Sequence, residues 1–174
     1  MSGPLAWSHR VTEIPEAGLN LTRSATPEES AGIAEELDLV ACDALTAKFV
    51  LLPLGAGRYR MSGKLTARVT QSCIVTLEPV AQTIDEAIDI EFWPAGSVPE
   101  VGEEEVEALS LPEIEPIEHG WIQDGRVILE LLSSALDLYP RKSGARFEWE
   151  DTGGEAAVEA ENPFAALKKL KKET

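Results

Sequence analysis

The sequence predicts an α+β domain in which two helices cover a twisted antiparallel sheet, either open or rolled into a partial barrel. Apolar and polar residues alternate from Gly63 to Cys73 and again from Val80 to Phe92. This period of two is typical of antiparallel strands with one solvated face. Thr26-Pro27-Glu28-Glu29 forms a capping box with proline at the first helical position, which predicts that a helix begins there.

The first third of the chain supplies the remaining strands and the first helix. Three segments are predicted as strands from partial alternation or from their content of Phe, Val and Leu: Trp7 to Ile14, Gly18 to Arg23 and Ala44 to Leu54. The capping box opens a helix from Pro27 to Asp38, in which Ile33 and Leu37 lie at helical spacing. We expect these two side chains to pack on the sheet.

The two alternating segments carry opposite charges on their polar faces. Lys64 and Arg68 lie on the first, whereas Asp85, Asp89 and Glu91 lie on the second. Charges of opposite sign on paired strands stabilise the pairing. We therefore expect the two segments to be neighbours in the sheet.

The second half is predicted to continue with an acidic loop, a helix and a further loop. Val98 to Glu118 carries three prolines and no sustained periodicity, so we expect an exposed acidic loop. Val127 to Leu138 is predicted as a helix that stops before Pro140. Tyr139 to Gly144 is predicted as a loop, and Ala145 to Glu150 as a last short strand. Residues 1–150 then form a single domain.

Residues 151–174 are predicted to be a flexible acidic linker followed by a basic amphipathic tail. Asn162 is a good N-cap, and Pro163 suits the first helical position. Phe164 and Leu167 fall on one side at helical spacing, ahead of four lysines. Because so short a helix is marginal alone in water, we expect it to dock on a partner or on its own domain.

Composition narrows the class of protein. The chain has 174 residues, 44% of them hydrophobic, which is enough for one core, and its formal net charge is −16. This charge argues against a protein whose main contact is a phosphate backbone and favours basic partners such as ribosomal proteins. With no apolar stretch of membrane-spanning length, no signal-peptide pattern and two distant cysteines, we expect a cytoplasmic protein with buried thiols.

Catalytic motifs are sparse. The two histidines, His9 and His119, have no motif around them, and the glycines form no phosphate-binding loop. Thr76 stands where a second cysteine would complete a C-x-x-C with Cys73, so neither a zinc nor a redox motif is present there. We expect the protein to have no enzymatic activity and to bind no metal or cofactor.

Three motifs in the right order resemble the YceD-like family of bacteria and plastids. They are the segment from Gly63 to Val80, the loop Tyr139-Pro140-Arg141-Lys142-Ser143-Gly144 and the tail from Asn162 to Lys171. The resemblance runs from the Thr26 helix to the end of the chain. The resemblance implies a role in the accumulation of large-subunit ribosomal RNA, through processing or stability of that RNA. No catalytic residue or cofactor is established for the family, so the resemblance implies none for this chain. Many relatives have C-x-x-C where Cys73 and Thr76 stand, so a metal site in those relatives would be absent here.

The leading hypothesis is therefore a non-enzymatic ribosome-biogenesis factor whose partners are the large-subunit precursor, a basic ribosomal protein or ribosomal RNA. The oligomeric state stays open. One alternative is an RNA-processing enzyme or a subunit that recruits a nuclease, and another is a chaperone for a basic ribosomal protein. The predicted partner-binding residues lie in the tail and in the preceding loop: Asn162, Pro163, Phe164, Leu167, Lys168, Lys169, Lys171, Arg141 and Lys142. For Arg141 and Lys142, a phosphate contact and a merely solvated loop are both open.

Overall fold

The computed structural model describes residues 3–97 and 113–147, which contain two α-helices and seven strands. The strands are β1 (His9–Arg10), β2 (Leu19–Ser24), β3 (Ala41–Gly55), β4 (Arg58–Ser72), β5 (Pro79–Pro94), β6 (Glu113–Ile117) and β7 (Trp121–Ile122). The helices are α1 (Pro27–Glu36) and α2 (Asp124–Ala135), and the segments Val11–Glu13 and Ala95–Ser97 are 3-10 turns. The predicted α+β class is confirmed.

Five strands form one open sheet in the order β2-β3-β4-β5-β6, and β1 pairs with β7 in a separate ribbon. Strands β2, β3, β4 and β5 pair with one another in antiparallel fashion, as predicted. Lys64 Nζ lies 2.8 Å from an Asp85 carboxylate oxygen, and Arg60 Nε lies 2.6 Å from Asp89. The predicted complementarity of charge between β4 and β5 is therefore confirmed.

Strand β6 corrects two predictions at once. It runs parallel to β5, with Ile90 opposite Glu113, so the sheet is mixed rather than purely antiparallel. It also occupies residues 113–117, which the sequence placed in the acidic loop. Two parallel neighbours need a long connection between them, and the chain between Pro94 and Glu113 is long enough for one. Pro116 made a strand hard to predict here, because proline within a sheet is confined to edge strands, strand ends and bulges. The structure shows that β6 is an edge strand.

One face of the sheet carries the core. Most of the alternate residues in the middle of β3, β4 and β5 are buried on this face, with Gly63 and Glu86 as exceptions. Ile33 of α1 and Ile128 and Leu132 of α2 join the same apolar cluster. The opposite face carries the exposed polar residues of the same strands, including the two ion pairs between β4 and β5. The helices thus cover one side of a two-layer domain.

Helix α1 begins as predicted and ends two residues early. The Thr26 hydroxyl accepts from the Glu29 amide at 3.2 Å, and the Glu29 carboxylate accepts from the Thr26 amide at 2.8 Å. At the other end, the Leu39 amide donates to the Ala34 carbonyl at 2.8 Å while Asp38 has a φ of 51°. This is a Schellman motif, in which aspartate takes the left-handed position that glycine usually fills.

Helix α2 spans Asp124–Ala135, three residues earlier at both ends than the predicted Val127 to Leu138. Its start lies against the N-terminal segment: the Gly125 amide donates to the Trp7 carbonyl at 2.9 Å, and a Cβ at Gly125 would come within 2.4 Å of the Leu5 carbonyl oxygen. The predicted strand from Trp7 to Ile14 is correspondingly wrong except at His9–Arg10, because the chain turns at Val11.

Several predictions fall partly or wholly outside the described residues. The predicted strand from Ala145 to Glu150 is wrong over 145–147, where no strand forms, and 148–150 lie beyond the described part. The acidic residues 98–112, the linker and the tail also lie outside it. Among the described residues, no helix is both long and apolar enough to cross a membrane.

Candidate partner-binding surface

Two segments far apart in sequence meet at one end of the sheet. They are the turn between β4 and β5, residues 73–78, and the loop after α2, residues 136–147. The Ile74 amide donates to the Pro140 carbonyl at 2.9 Å, and Lys142 Nζ lies 2.7 Å from a Glu78 carboxylate oxygen. We call the exposed face of these two segments the end surface.

Two glutamines of the sheet, Gln71 and Gln82, form hydrogen bonds with the end of α2 and the start of the loop. Gln71 donates from its side chain to the Asp137 carbonyl at 3.0 Å. Gln82 donates to the Ala135 carbonyl at 3.1 Å and accepts from the Asp137 amide at 3.3 Å, so it caps the end of α2. Pro140 is buried beneath the loop. The loop is therefore fixed by backbone bonds and a buried ring, while the side chains around Pro140 point outward.

Cys73 fastens the turn to the loop through its sulfur. Its Sγ accepts from the Lys142 amide at 3.4 Å and from the Thr76 amide at 3.5 Å. The Lys142 amide, followed by the Thr76 hydroxyl and amide, lowers the pKa of Cys73 to about 6. The sulfur has no solvent-accessible surface yet lies just beneath the turn, so desolvation opposes this shift only weakly. Burial raises the pKa of the other thiol, Cys42.

Leu77 occupies an unusual position in the turn. Its φ is 59°, a left-handed conformation that glycine or asparagine adopts more easily than leucine. The Leu77 amide donates to the Cys73 carbonyl at 2.9 Å, and the Ser72 hydroxyl donates to the Leu77 carbonyl at 3.2 Å. Its side chain is nonetheless 79% exposed. Neither packing nor backbone preference explains a leucine here.

Large apolar side chains are concentrated on the end surface. Leu138 is 81% exposed, Tyr139 70% and Phe147 79%, and Ile74 beside Cys73 is partly exposed as well. Exposed apolar side chains that cluster on a soluble protein mark binding sites, whereas single ones need no explanation. This end of the sheet is therefore the candidate surface for contact with another molecule.

The loop is also basic. Residues 138–147 include Arg141, Lys142 and Arg146 and no carboxylate, in a chain with a net charge of −16. Lys142 is paired with Glu78, whereas Arg141 forms no hydrogen bond or ion pair with any residue that the structure describes. The end surface thus combines apolar side chains with an available cation.

The predicted site residues divide into two groups. Arg141 and Lys142 lie on the end surface, so the structure brings this pair together with the turn at Cys73. The seven tail residues from Asn162 to Lys171 lie outside the described part, and their role stays a prediction. The sequence reasoning missed Leu77, Leu138 and Tyr139, whose exposure a pattern of apolar residues alone does not reveal.

His9 forms a separate, buried polar group near the start of α2. Its Nδ1 lies 3.1 Å from Asp124 Oδ1, and an Arg23 nitrogen lies 3.5 Å from its Nε2. Burial raises the pKa of Asp124, and Asp124 Oδ2 has no hydrogen-bond partner among the described residues. No group of three or more His, Cys, Asp or Glu side chains that could hold a metal occurs within residues 3–97 and 113–147.

A cleft of about 790 Å³ lies between the N-terminal segment and the two helices. Glu36, Glu118 and Glu130 line it, and Arg126 in its wall is paired with Glu115 and Glu130. Because its rim is acidic, this cleft is a poorer site for an anionic partner than the end surface.

Comparison with known proteins identifies a family. Residues 61–171 match the model of the family described as large ribosomal RNA subunit accumulation protein YceD. The match begins within β4, so it is shorter than the span from Thr26 that the motifs suggested, but it includes both segments of the end surface. No curated protein and no solved structure matches the chain.

Proposed function

Because the chain belongs to the YceD family of large ribosomal RNA subunit accumulation proteins, we propose that it is a non-enzymatic factor in ribosome biogenesis. It promotes the processing or stability of large-subunit ribosomal RNA by binding the subunit precursor in the cytoplasm. The end surface is the observation that carries this proposal.

The construction of the end surface supports binding as its task. Hydrogen bonds from Gln71, Gln82 and Ile74 hold the loop, so Leu138 and Tyr139 lie on a backbone that is ordered before a partner arrives. A preorganised surface loses less conformational entropy on association. Tyrosine and arginine are also the residues that contribute most to binding energy in known interfaces.

A second candidate rests on the charge. A net charge of −16 attracts basic proteins and steers their association, which would suit a chaperone for a basic ribosomal protein. Such a chaperone would bind the free ribosomal protein without RNA. Sedimentation of this protein with that partner, and not with subunit precursors, would favour the second candidate.

The test of the proposal is genetic replacement in the cells that make this protein. We expect depletion to lower the ratio of large- to small-subunit ribosomal RNA. A variant carrying Leu138→Ala and Tyr139→Ala should fail to restore that ratio, because it removes two exposed side chains of the end surface without touching the core. Electrophoresis of total RNA measures the ratio, and a sucrose gradient follows the protein with subunit precursors.

The matched control is Leu52→Ala with Leu54→Ala, a pair of exposed leucines on β3 near the other end of the sheet. This pair should restore the ratio fully. A version ending at Glu161 tests the tail in the same strain. An unchanged ratio of large- to small-subunit ribosomal RNA after depletion would contradict the proposed function. Equal rescue by both double variants would show that the end surface is not needed for that function.

A further inference from the structure

We propose that the end surface binds an unpaired segment of RNA, with bases stacked on Tyr139 and Phe147 and phosphates held by Arg141 and Arg146. This inference rests on the proposed function and names the partner for the same surface. Its grounds are the placement of aromatic side chains, the local charge and the fixed backbone.

The aromatic side chains are available to stack. Tyr139 and Phe147 are among the most exposed large apolar residues of the described chain. The Ala145 amide donates to the Lys142 carbonyl at 3.0 Å, which folds the loop back, and Phe147 lies within about 7 Å of Ala145 along the chain. Base stacking on such side chains is the main source of affinity for single strands.

The backbone at Tyr139 is held on both sides. The Tyr139 amide donates to the Asp137 carboxylate at 2.9 Å, and the next residue, Pro140, is buried and accepts from the Ile74 amide. The ring therefore leaves the surface from a fixed position. A fixed backbone lowers the conformational entropy that is lost when a planar base stacks on the ring.

Local charge favours an anionic ligand. Arg141, Lys142 and Arg146 occur within six residues without a carboxylate among them. Lys142 is paired with Glu78, whereas Arg141 and Arg146 have no ion pair with any residue that the structure describes. Planar guanidinium groups bind phosphates through paired hydrogen bonds. The acidic remainder of the chain repels RNA, which confines such contact to a short segment.

The apolar neighbours indicate that the RNA is unpaired. In a duplex the base faces are stacked on one another, and recognition relies on 2′-hydroxyl and phosphate contacts. Leu77, Leu138 and Tyr139 have nothing apolar to meet on a duplex, whereas an unstacked base offers them its faces. An exposed leucine in a left-handed conformation is then explained as a contact with a base or ribose.

The test is fluorescence anisotropy of the full chain with a labelled, unstructured RNA oligonucleotide and with a labelled RNA hairpin. We expect the unstructured RNA to bind more tightly. Tyr139→Ala should weaken binding by about 5-fold to 150-fold, the range for loss of one stacked base, and Tyr139→Phe should retain it. Two phosphate contacts predict that log Kd changes with log salt with a slope of about 1.4, and Arg141→Ala should lower that slope by about 0.7.

The matched controls are Leu54→Ala, an exposed leucine on β3, and Arg68→Ala, a cation on the open sheet face. Both should bind RNA like the unchanged chain. Equal affinity for the hairpin, or unchanged affinity of Tyr139→Ala, would overturn the inference. Loss of RNA binding in the version ending at Glu161, with Tyr139→Ala unaffected, would also overturn it and assign the RNA contact to the tail.

The inference and the proposed function can fail separately. If Tyr139→Ala lowers the large-subunit RNA ratio in cells but leaves RNA affinity unchanged, the end surface binds a protein; the inference is then wrong and the proposed function stands. If Tyr139→Ala weakens RNA binding while full depletion leaves the ratio unchanged, the RNA site stands and the proposed function fails.

Discussion

At the scale of single residues, Leu77 carries the clearest signal of function. A left-handed conformation costs an ordinary residue roughly 1–2 kcal/mol relative to its preferred backbone regions. A leucine that is 79% exposed recovers little of this through burial within its own chain. Cys73, four residues earlier in the same turn, is the contrasting case. Its sulfur is buried and accepts hydrogen bonds from the turn and from the loop, so it stabilises the contact between them.

Replacement of Leu77 should separate stability from binding. We expect Leu77→Gly to leave the free energy of unfolding unchanged or to raise it by up to about 1 kcal/mol, because relief of the left-handed backbone offsets the greater entropy of glycine in the unfolded chain. Binding to the partner should weaken at the same time. Urea denaturation and the binding assay measure the two effects, and a loss of more than about 1 kcal/mol in stability would show that Leu77 is structural.

At the scale of elements, the junction between α2 and the sheet positions the end surface. Gln82 of β5 satisfies the Ala135 carbonyl and the Asp137 amide together, so the helix ends where the sheet provides a partner for it. Gln71 of β4 then holds the next carbonyl along the loop. The register of two strands thus decides where Leu138 and Tyr139 lie.

Loss of this cap should destabilise the protein. Gln82→Ala leaves the partly buried Ala135 carbonyl and the exposed Asp137 amide without their partner. We expect a loss of about 1 kcal/mol, because water replaces the partner of the exposed amide. Thr83→Ala, at the neighbouring exposed position, serves as the control and should change stability by less than about 0.5 kcal/mol. Urea denaturation gives both values. Faster hydrogen exchange at the Asp137 amide in the Gln82 variant alone would place the effect at the helix end.

At the scale of the whole molecule, the surface differs from region to region in charge and in apolar content. The domain buries one face of its sheet under two helices and leaves the other face polar, with carboxylates in large excess over cations in the chain as a whole. The end surface differs from the rest of the surface, because its loop carries basic and exposed apolar side chains at one end of the sheet. Under the proposed function, this division would let a strongly acidic protein contact a short piece of RNA at the end surface.

The excess negative charge should make the folded state sensitive to salt. Self-repulsion in a chain with a net charge of −16 opposes compaction, and salt screens it over roughly 10 Å at 0.1 M. We therefore expect the melting temperature to rise as sodium chloride increases from low to physiological concentration. Calorimetry measures this, with an uncharged osmolyte at equal osmolality as the comparison. A melting temperature that falls with salt would mean that surface ion pairs such as Lys64–Asp85 outweigh the repulsion.

Local patterns were sufficient for much of the fold. The start of α1 follows from a capping box, β4 and β5 follow from alternation, and β3 follows from its content of Phe, Val and Leu. All of these signals come from residues close in sequence. The same reasoning correctly paired β4 with β5 from their charges. It also selected Arg141 and Lys142 as candidates for partner binding.

What the sequence determined by itself was therefore the class of fold, the central antiparallel strands, and the family motifs that include the loop after Tyr139. Tertiary structure alone decided that β6 adds a parallel edge strand, that Gln82 caps α2 three residues earlier than predicted, and that Ile74 of the turn bonds to Pro140 of the loop. The physical reason is distance along the chain. These contacts join residues more than twenty positions apart, and no local preference encodes them.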